Sequence, residues 1–167
     1  MSFADNMLKA IKNAGVKIAS SVPDEWLSPV IEALNGSDEL KHAPAAREED
    51  AIGICCGASL AGVRAICIIQ SAGALNSGGV LATLANSYGI PLVMIVADRG
   101  RLSDATVFHF EKARAFRPFL NSLGISYYEL STNFMETGQL EDAFRLAETG
   151  QRPVALLITP KTFEGFK

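Results

Sequence analysis

Six short apolar runs, each divided from the next by a segment of helical periodicity, leave this chain few folds to choose from. They cover residues 16–21, 41–46, 64–69, 92–97, 125–130 and 154–159, the second being a brief linking stretch with room for a short strand. The run at 92–97, Leu-Val-Met-Ile-Val-Ala, is apolar at every position rather than at alternate ones. Continuous apolarity of strand length belongs to a strand covered on both faces. Between the runs, Phe3, Met7, Ala10, Ile11 and Ala14 recur at helical spacing, as do Leu27, Val30, Ile31 and Leu34. The same spacing returns in Val80, Leu81, Leu84, Ala85 and Tyr88, in Phe116, Phe119, Leu120 and Leu123, and in Leu140, Ala143, Phe144 and Ala147. Gly15, Asn35-Gly36, Gly89 and Gly124 punctuate these segments, as glycine does past a helix end. Strand and helix in alternation predict an α/β fold: a three-layer parallel sheet of about six strands with helices on both faces. A length of 167 residues with 49% hydrophobic content fits a single domain spanning 1–167.

The segment 47–62, Arg-Glu-Glu-Asp-Ala-Ile-Gly-Ile-Cys-Cys-Gly-Ala-Ser-Leu-Ala-Gly, reads as a helix whose first turn carries three acids and whose body is buried on every side. Acids are at home in that turn, because the helix dipole is positive there. A helix this apolar carries Glu48 to the edge of the core, where a carboxylate is stripped of part of its water, and working acids are placed in that way. Glu49 and Asp50 read as solvated first-turn acids, and Arg47 as their neutralising neighbour.

Composition removes several classes of function. A net charge of −3 without a run of like charge offers no footprint for nucleic acid. No apolar run approaches the roughly 20 residues a membrane span needs, and the N-terminus lacks the pattern of a signal peptide, so a cytoplasmic protein is expected. Cys55, Cys56 and Cys67 form no metal-ligand spacing and read as small core residues.

In a parallel sheet with helices on both faces, ligands bind beyond the carboxyl ends of the strands. Four loops at such ends carry chemistry: Ser20 to Asp24, the approach to Glu48, Gln70 to Gly79, and Asp98 to His109. The third, Gln-Ser-Ala-Gly-Ala-Leu-Asn-Ser-Gly-Gly, reads as a small-residue turn before a helix and matches no phosphate-binding pattern. Its Gln70, Ser71 and Asn76 are candidates for lining the pocket. Arg99 and Arg101 bear guanidinium groups suited to clamping a sulfonate, phosphonate or carboxylate, or else stand solvated on the surface. His109, between two phenylalanines, is either a proton donor or anion ligand on a loop folded over the site, or a packing group.

The order Glu48-x-x-Ala51, Gly57, Ala61-Gly62, Gln70-Ser-Ala-Gly-x-x-Asn76, Gly89-Ile-Pro-Leu-Val, Arg99-Gly100 and Arg152-Pro-Val resembles the pyrimidine-binding domain of thiamine-diphosphate enzymes. Within that superfamily, Ser21-Val-Pro-Asp24 and Arg99-Gly100 resemble the sulfopyruvate and phosphonopyruvate decarboxylases, and most closely their separate alpha subunit. The resemblance covers nearly the whole chain. It implies that Glu48 hydrogen-bonds the cofactor's aminopyrimidine and activates it, that Gln70, Ser71 and Asn76 lie on the cofactor, and that Asp24 and Arg99 lie on the substrate, a small anionic 2-oxo acid. For Asp24 the alternative is a helix N-cap. The segment after Arg99-Gly100 departs from the subfamily's pattern, which bears on the substrate.

No Gly-Asp-Gly followed by Asn-Asn occurs in the chain, and that is the superfamily's means of holding magnesium and the cofactor's diphosphate. The resemblance therefore implies thiamine diphosphate and Mg²⁺ held by a separate diphosphate-binding beta subunit, in a homodimer or an alpha-beta hetero-oligomer. Other readings of the same chain are the half-domain of a carboligase or another 2-oxo acid decarboxylase, a non-catalytic binding module, and a nucleotide-binding doubly wound domain.

Overall fold

The computed structural model describes residues 2–102, 104 and 106–166. The chain alternates as the periodicities require: α1 (Phe3–Asn13), β1 (Ile18–Ser21), α2 (Ser28–Asn35), β2 (Lys41–Pro44), α3 (Glu48–Leu60), β3 (Ala65–Gln70), α4 (Ser71–Asn76) and α5 (Gly78–Val80). A π-helical turn at Leu81–Asn86 continues α5 and leads to β4 (Leu92–Ala97). Then come α6 (Val107–Ser122), β5 (Ser126–Glu129), α7 (Phe134–Thr137), α8 (Gln139–Gly150), β6 (Pro153–Ile158) and a closing 3₁₀ segment, Pro160–Phe166. The six strands form one sheet in the order β2-β1-β3-β4-β6-β5, and every pair is parallel.

Alternate residues of the inner strands feed two separate cores, which makes the architecture three-layered. Ile66, Ile68, Val93, Ile95, Val154 and Leu156 face α1, α2, α7 and α8, while Cys67, Ile69, Met94, Val96, Ala155 and Leu157 face α3, α4 and α6. Strands covered on both sides must be apolar at every position, and β4 and β6 are buried throughout. Among the described residues no helix is long and apolar enough to cross a membrane.

Three expectations are corrected. The Gln70 to Gly79 stretch is not a turn, because α4 starts at Ser71 immediately beyond β3. The small side chains of Ser71, Gly73 and Ala74 let this short helix sit buried against its neighbours. The loop after β4 ends earlier than its polarity suggests, since α6 begins at Val107; Ser103 and Ala105 of that loop lie outside the described residues. Finally, α3 is not buried on every side: Ile54 and Leu60 are 37% and 69% exposed, so the helix keeps an apolar outer face.

Candidate active site

Between β1 and β3 the strand order reverses, since the chain passes outward to β2 and returns through α3. The loops there diverge and leave a crevice at the carboxyl ends. Helix α3 starts at this rim, with Glu48 as its first residue and Glu49 and Asp50 completing an acidic first turn. The three acids have different fates. Asp50 is exposed, Glu49 is half-buried and paired with Arg47 at 3.2 Å, and Glu48 is laid over Gly73 in α4. A Cβ on Gly73 would collide with the Glu48 carboxyl carbon and Oε1, so the glycine is what admits the carboxylate. On the same turn, the Ser71 hydroxyl is buried without a hydrogen-bond partner. A buried hydroxyl left without a partner is free to receive a polar ligand atom.

The floor beneath is apolar. Cys55, Cys56 and Cys67 are all buried and unbridged. Burial pushes the Cys56 thiol up to about 11, and a hydrogen bond with Cys55, together with burial, raises that of Cys67. Cys56 and Cys67 remain thiols at neutral pH and are poor nucleophiles.

A second cluster occupies the same end of the sheet and centres on Arg99, which follows β4 and is 5% exposed. Its Nη1 donates to Asp24 Oδ2 at 3.3 Å, Nη2 to Glu25 Oε2 at 3.4 Å, and Nε to Asp104 Oδ2 at 3.1 Å. The guanidinium lies over the Trp26 ring, 4.3 Å from its centroid. Asp24 turns its other oxygen to the Trp26 amide at 2.9 Å, which fixes the start of the segment leading into α2. Asp104 Oδ2 also accepts from the Gly100 amide at 2.7 Å and meets His109 Nδ1 at 3.1 Å. One arginine thus joins the loops after β1 and β4 to the first turn of α6.

The two arginines of the Arg99 loop part company. Arg101 turns to the opposite side, donating from Nε to Asp98 Oδ2 at 2.8 Å. The same oxygen receives two bonds from Arg117, which reaches on to Glu129 at 2.7 Å. Of the residues singled out in the sequence, Asp24, Arg99 and His109 are therefore gathered into one network, and Glu48 packs on α4, the helix that starts with Ser71. Gln70 is half-buried at the end of β3 and Asn76 is exposed at the end of α4. Asp104, Glu25 and Trp26 escaped sequence reasoning. The cue for Asp104 was its place five residues before His109 in an otherwise unremarkable loop; for Glu25 and Trp26 no local signal exists.

Residues 1–114 match the family described as thiamine pyrophosphate enzyme, N-terminal TPP binding domain. The chain is 30% identical over 158 residues to the sulfopyruvate decarboxylase subunit alpha of Methanococcus maripaludis, covering 95% of both chains. It is 35% identical over 117 residues to the subunit of the same name from Methanothermobacter thermautotrophicus, covering 70% of this chain and 71% of that one. Among solved structures, the 2-oxoglutarate:ferredoxin oxidoreductase of Magnetococcus marinus superposes with a TM-score of 0.74 at 18% identity, over 94% of this chain and 28% of that one. The last likeness shows a shared fold.

Proposed function

Because the chain belongs to the thiamine pyrophosphate enzymes by its N-terminal TPP-binding domain, we propose that it is the alpha subunit of a thiamine-diphosphate-dependent decarboxylase acting on a small anionic 2-oxo acid. Sulfopyruvate, giving sulfoacetaldehyde and carbon dioxide, is the first candidate, on the names of the relatives matched over most of their length; phosphonopyruvate is the second. The observation that carries the reading is Glu48, set at the first turn of α3 against Gly73 of α4, the helix that also carries the orphan Ser71 hydroxyl.

These residues fit one end of the cofactor. Glu48 supplies a carboxyl group able to hydrogen-bond an aminopyrimidine nitrogen and exchange a proton with it; Ser71, Gln70 and Asn76 would line the rest of the cofactor's pocket. When bound, thiamine diphosphate supplies the electron sink for the carboxylate's departure. The diphosphate end is a different matter. Among the described residues no group of three or more His, Cys, Asp and Glu is placed to hold a metal, and hard-cation sites are built from oxygen ligands in number. Mg²⁺ and the diphosphate accordingly fall to a partner beta subunit. Arg99 would hydrogen-bond the substrate's acid group with the N–H groups its three carboxylates leave free, and Asp24 would set the angle of that guanidinium.

The test is carbon dioxide release from sulfopyruvate and from phosphonopyruvate, with thiamine diphosphate and Mg²⁺, by this chain alone and with its candidate partner. Turnover is expected only in the mixture. A Glu48→Gln subunit in the same mixture should lose activity on the order of 10²–10⁴-fold, the usual contribution of a proton-transferring side chain. Full activity in that variant would remove Glu48 from the mechanism.

A further inference from the structure

Asp104 is bound more tightly than a surface aspartate in a loop needs to be. Its side chain is 4% exposed, and its two oxygens take bonds from the Gly100 amide, Arg99 Nε, the Thr106 amide and His109 Nδ1. Burial alone pushes the carboxyl group up, yet the Gly100 amide and the Arg99 guanidinium prevail and hold it well below the usual carboxylate range. Asp104 is therefore an ionised acceptor with no proton to give. The hydrogen in the 3.1 Å contact must then belong to His109, on Nδ1.

This settles which imidazole atom is available. With Nδ1–H committed to Asp104, Nε2 is the nitrogen left to exchange a proton with anything else. The ring has little freedom to turn away. It is nine-tenths buried, the Phe108 ring stands edge-on to it at 4.5 Å, and the backbone of His109 is pressed against Gly100, where a Cβ would strike its carbonyl oxygen. Gly100 has φ +77°, a conformation glycine adopts without strain. Through Arg99, which touches both Asp24 and Asp104, this histidine is braced against the loop that walls the crevice.

We infer that Asp104 is a positioning residue for His109, holding the imidazole with Nδ1 protonated so that Nε2 delivers the proton the decarboxylation consumes. The inference rests on the decarboxylase reading above. Conversion of a 2-oxo acid anion to an aldehyde and carbon dioxide breaks the bond from the carbonyl carbon to the carboxylate and adds one proton at that carbon. Protonated on both nitrogens, His109 gives that proton from Nε2 and is left as the neutral Nδ1–H ring; hydronium or a buffer acid restores the Nε2 proton, while Asp104 stays ionised and stabilises the imidazolium. The arrangement parallels the carboxylate–histidine pair of hydrolases, where the carboxylate fixes the tautomer and is not itself protonated.

Two measurements test it, and the first needs no partner. Nitrogen-15 spectra of the histidine rings in the purified chain, followed through the ring's titration, should show the neutral form of His109 as the Nδ1–H tautomer, and Asp104→Ala should lose that preference. A neutral His109 ring with its hydrogen on Nε2 in the unsubstituted chain overturns the assignment, whatever the enzyme does. The second measurement uses the reconstituted complex. His109→Gln should lower kcat on the order of 10²–10⁴-fold, Asp104→Ala by part of that with KM little changed, and the double variant no further than His109→Gln alone. Losses that multiply in the double variant would show that Asp104 acts by supporting the loop rather than through His109, and would overturn the inference. If the unsubstituted complex releases no carbon dioxide from any 2-oxo acid while the tautomer is as stated, the decarboxylase reading falls and the catalytic half of this inference falls with it, leaving only the fixed ring.

Discussion

Two arginines sit at opposite ends of the same sheet and do opposite things with similar partners. At the amino end, Arg64, just before β3, grips Glu148 with Nε and Nη2 at 2.7 and 2.9 Å and gives Nη1 to both Glu141 and the Ala14 carbonyl at 2.8 Å. Its guanidinium covers the Phe144 ring. The bonds are short, one pair is bidentate, and the carboxylates stand on the regular helix α8. At the carboxyl end, Arg99 makes longer, single bonds of 3.1–3.4 Å to residues of irregular segments. Arg64 is 27% exposed and its carboxylates 41% each, whereas Arg99, Asp24 and Asp104 are 6%, 5% and 4% exposed. The first is a clamp that ties β3 to α1 and α8; the second keeps charge in a place where water has been removed. Buried charge is expensive to assemble, and a fold that needed only to join two loops would have an apolar solution.

The difference predicts unequal costs. Arg99→Met should destabilise the chain by about 3–5 kcal/mol, because it leaves Asp24 and Asp104 buried without their shared cation. Arg64→Met should cost about 1–2 kcal/mol, since its partners return to water and the methylene packing on Phe144 is partly kept. Urea unfolding of the two variants measures both. Equal costs would erase the distinction between an exposed clamp and a buried hub.

A smaller effect on stability separates the crevice from both arginines. In Gly73→Ala the new methyl meets the end of the Glu48 side chain rather than backbone, so the carboxylate can swing aside. The variant should unfold within about 1 kcal/mol of the parent, because the clash falls on the end of a flexible side chain and alanine favours the helix over glycine by about that much, yet the reconstituted complex should lose most of its turnover because the acid has left its place. Retained turnover would show that Glu48 works from another rotamer.

How much of this was legible depends on the range of the interaction. The sheet was readable because each strand repeats its message residue by residue: continuous apolarity in 92–97 and 154–159 states burial on two faces without reference to any other segment. Glu48 was readable for a related reason, as an acid at the start of an apolar helix is a local contradiction. The start of α4 was not, since Ser-Ala-Gly-Ala carries turn composition and becomes helical only because Glu48 and the buried face of the sheet close over it. The early start of α6 was hidden by Val107, Phe108 and Phe110, which are 86%, 66% and 58% exposed and so give no amphipathic stripe. The Arg99 network was the least legible part. Its partners lie 75, 74 and 5 residues away in sequence, and nothing in a loop's composition says which distant acid will face it.

The edge of the sheet offers a third, milder polar centre with a pH signature of its own. His42 on β2 bonds Ser21 Oγ through Nε2 at 2.8 Å and Asn35 Oδ1 through Nδ1 at 2.6 Å. Asn35 Oδ1 can only accept, so Nδ1 carries the hydrogen and Nε2 receives the Ser21 hydroxyl. Partial burial lowers the pKa of His42 from its ordinary value, about 6.5 in an unfolded chain. The sign follows from which state takes the proton first. Above pH about 6.5 both states are neutral and this contribution to stability is whole; as pH falls below that value the unfolded chain protonates before the folded one, and stability drops until the folded pKa is passed. Melting temperature should therefore decline from pH 7.5 to pH 5, and His42→Gln, which keeps polar atoms near Ser21 and Asn35, should flatten the decline. An unchanged slope in that variant would show that His42 is not the source of the acid sensitivity.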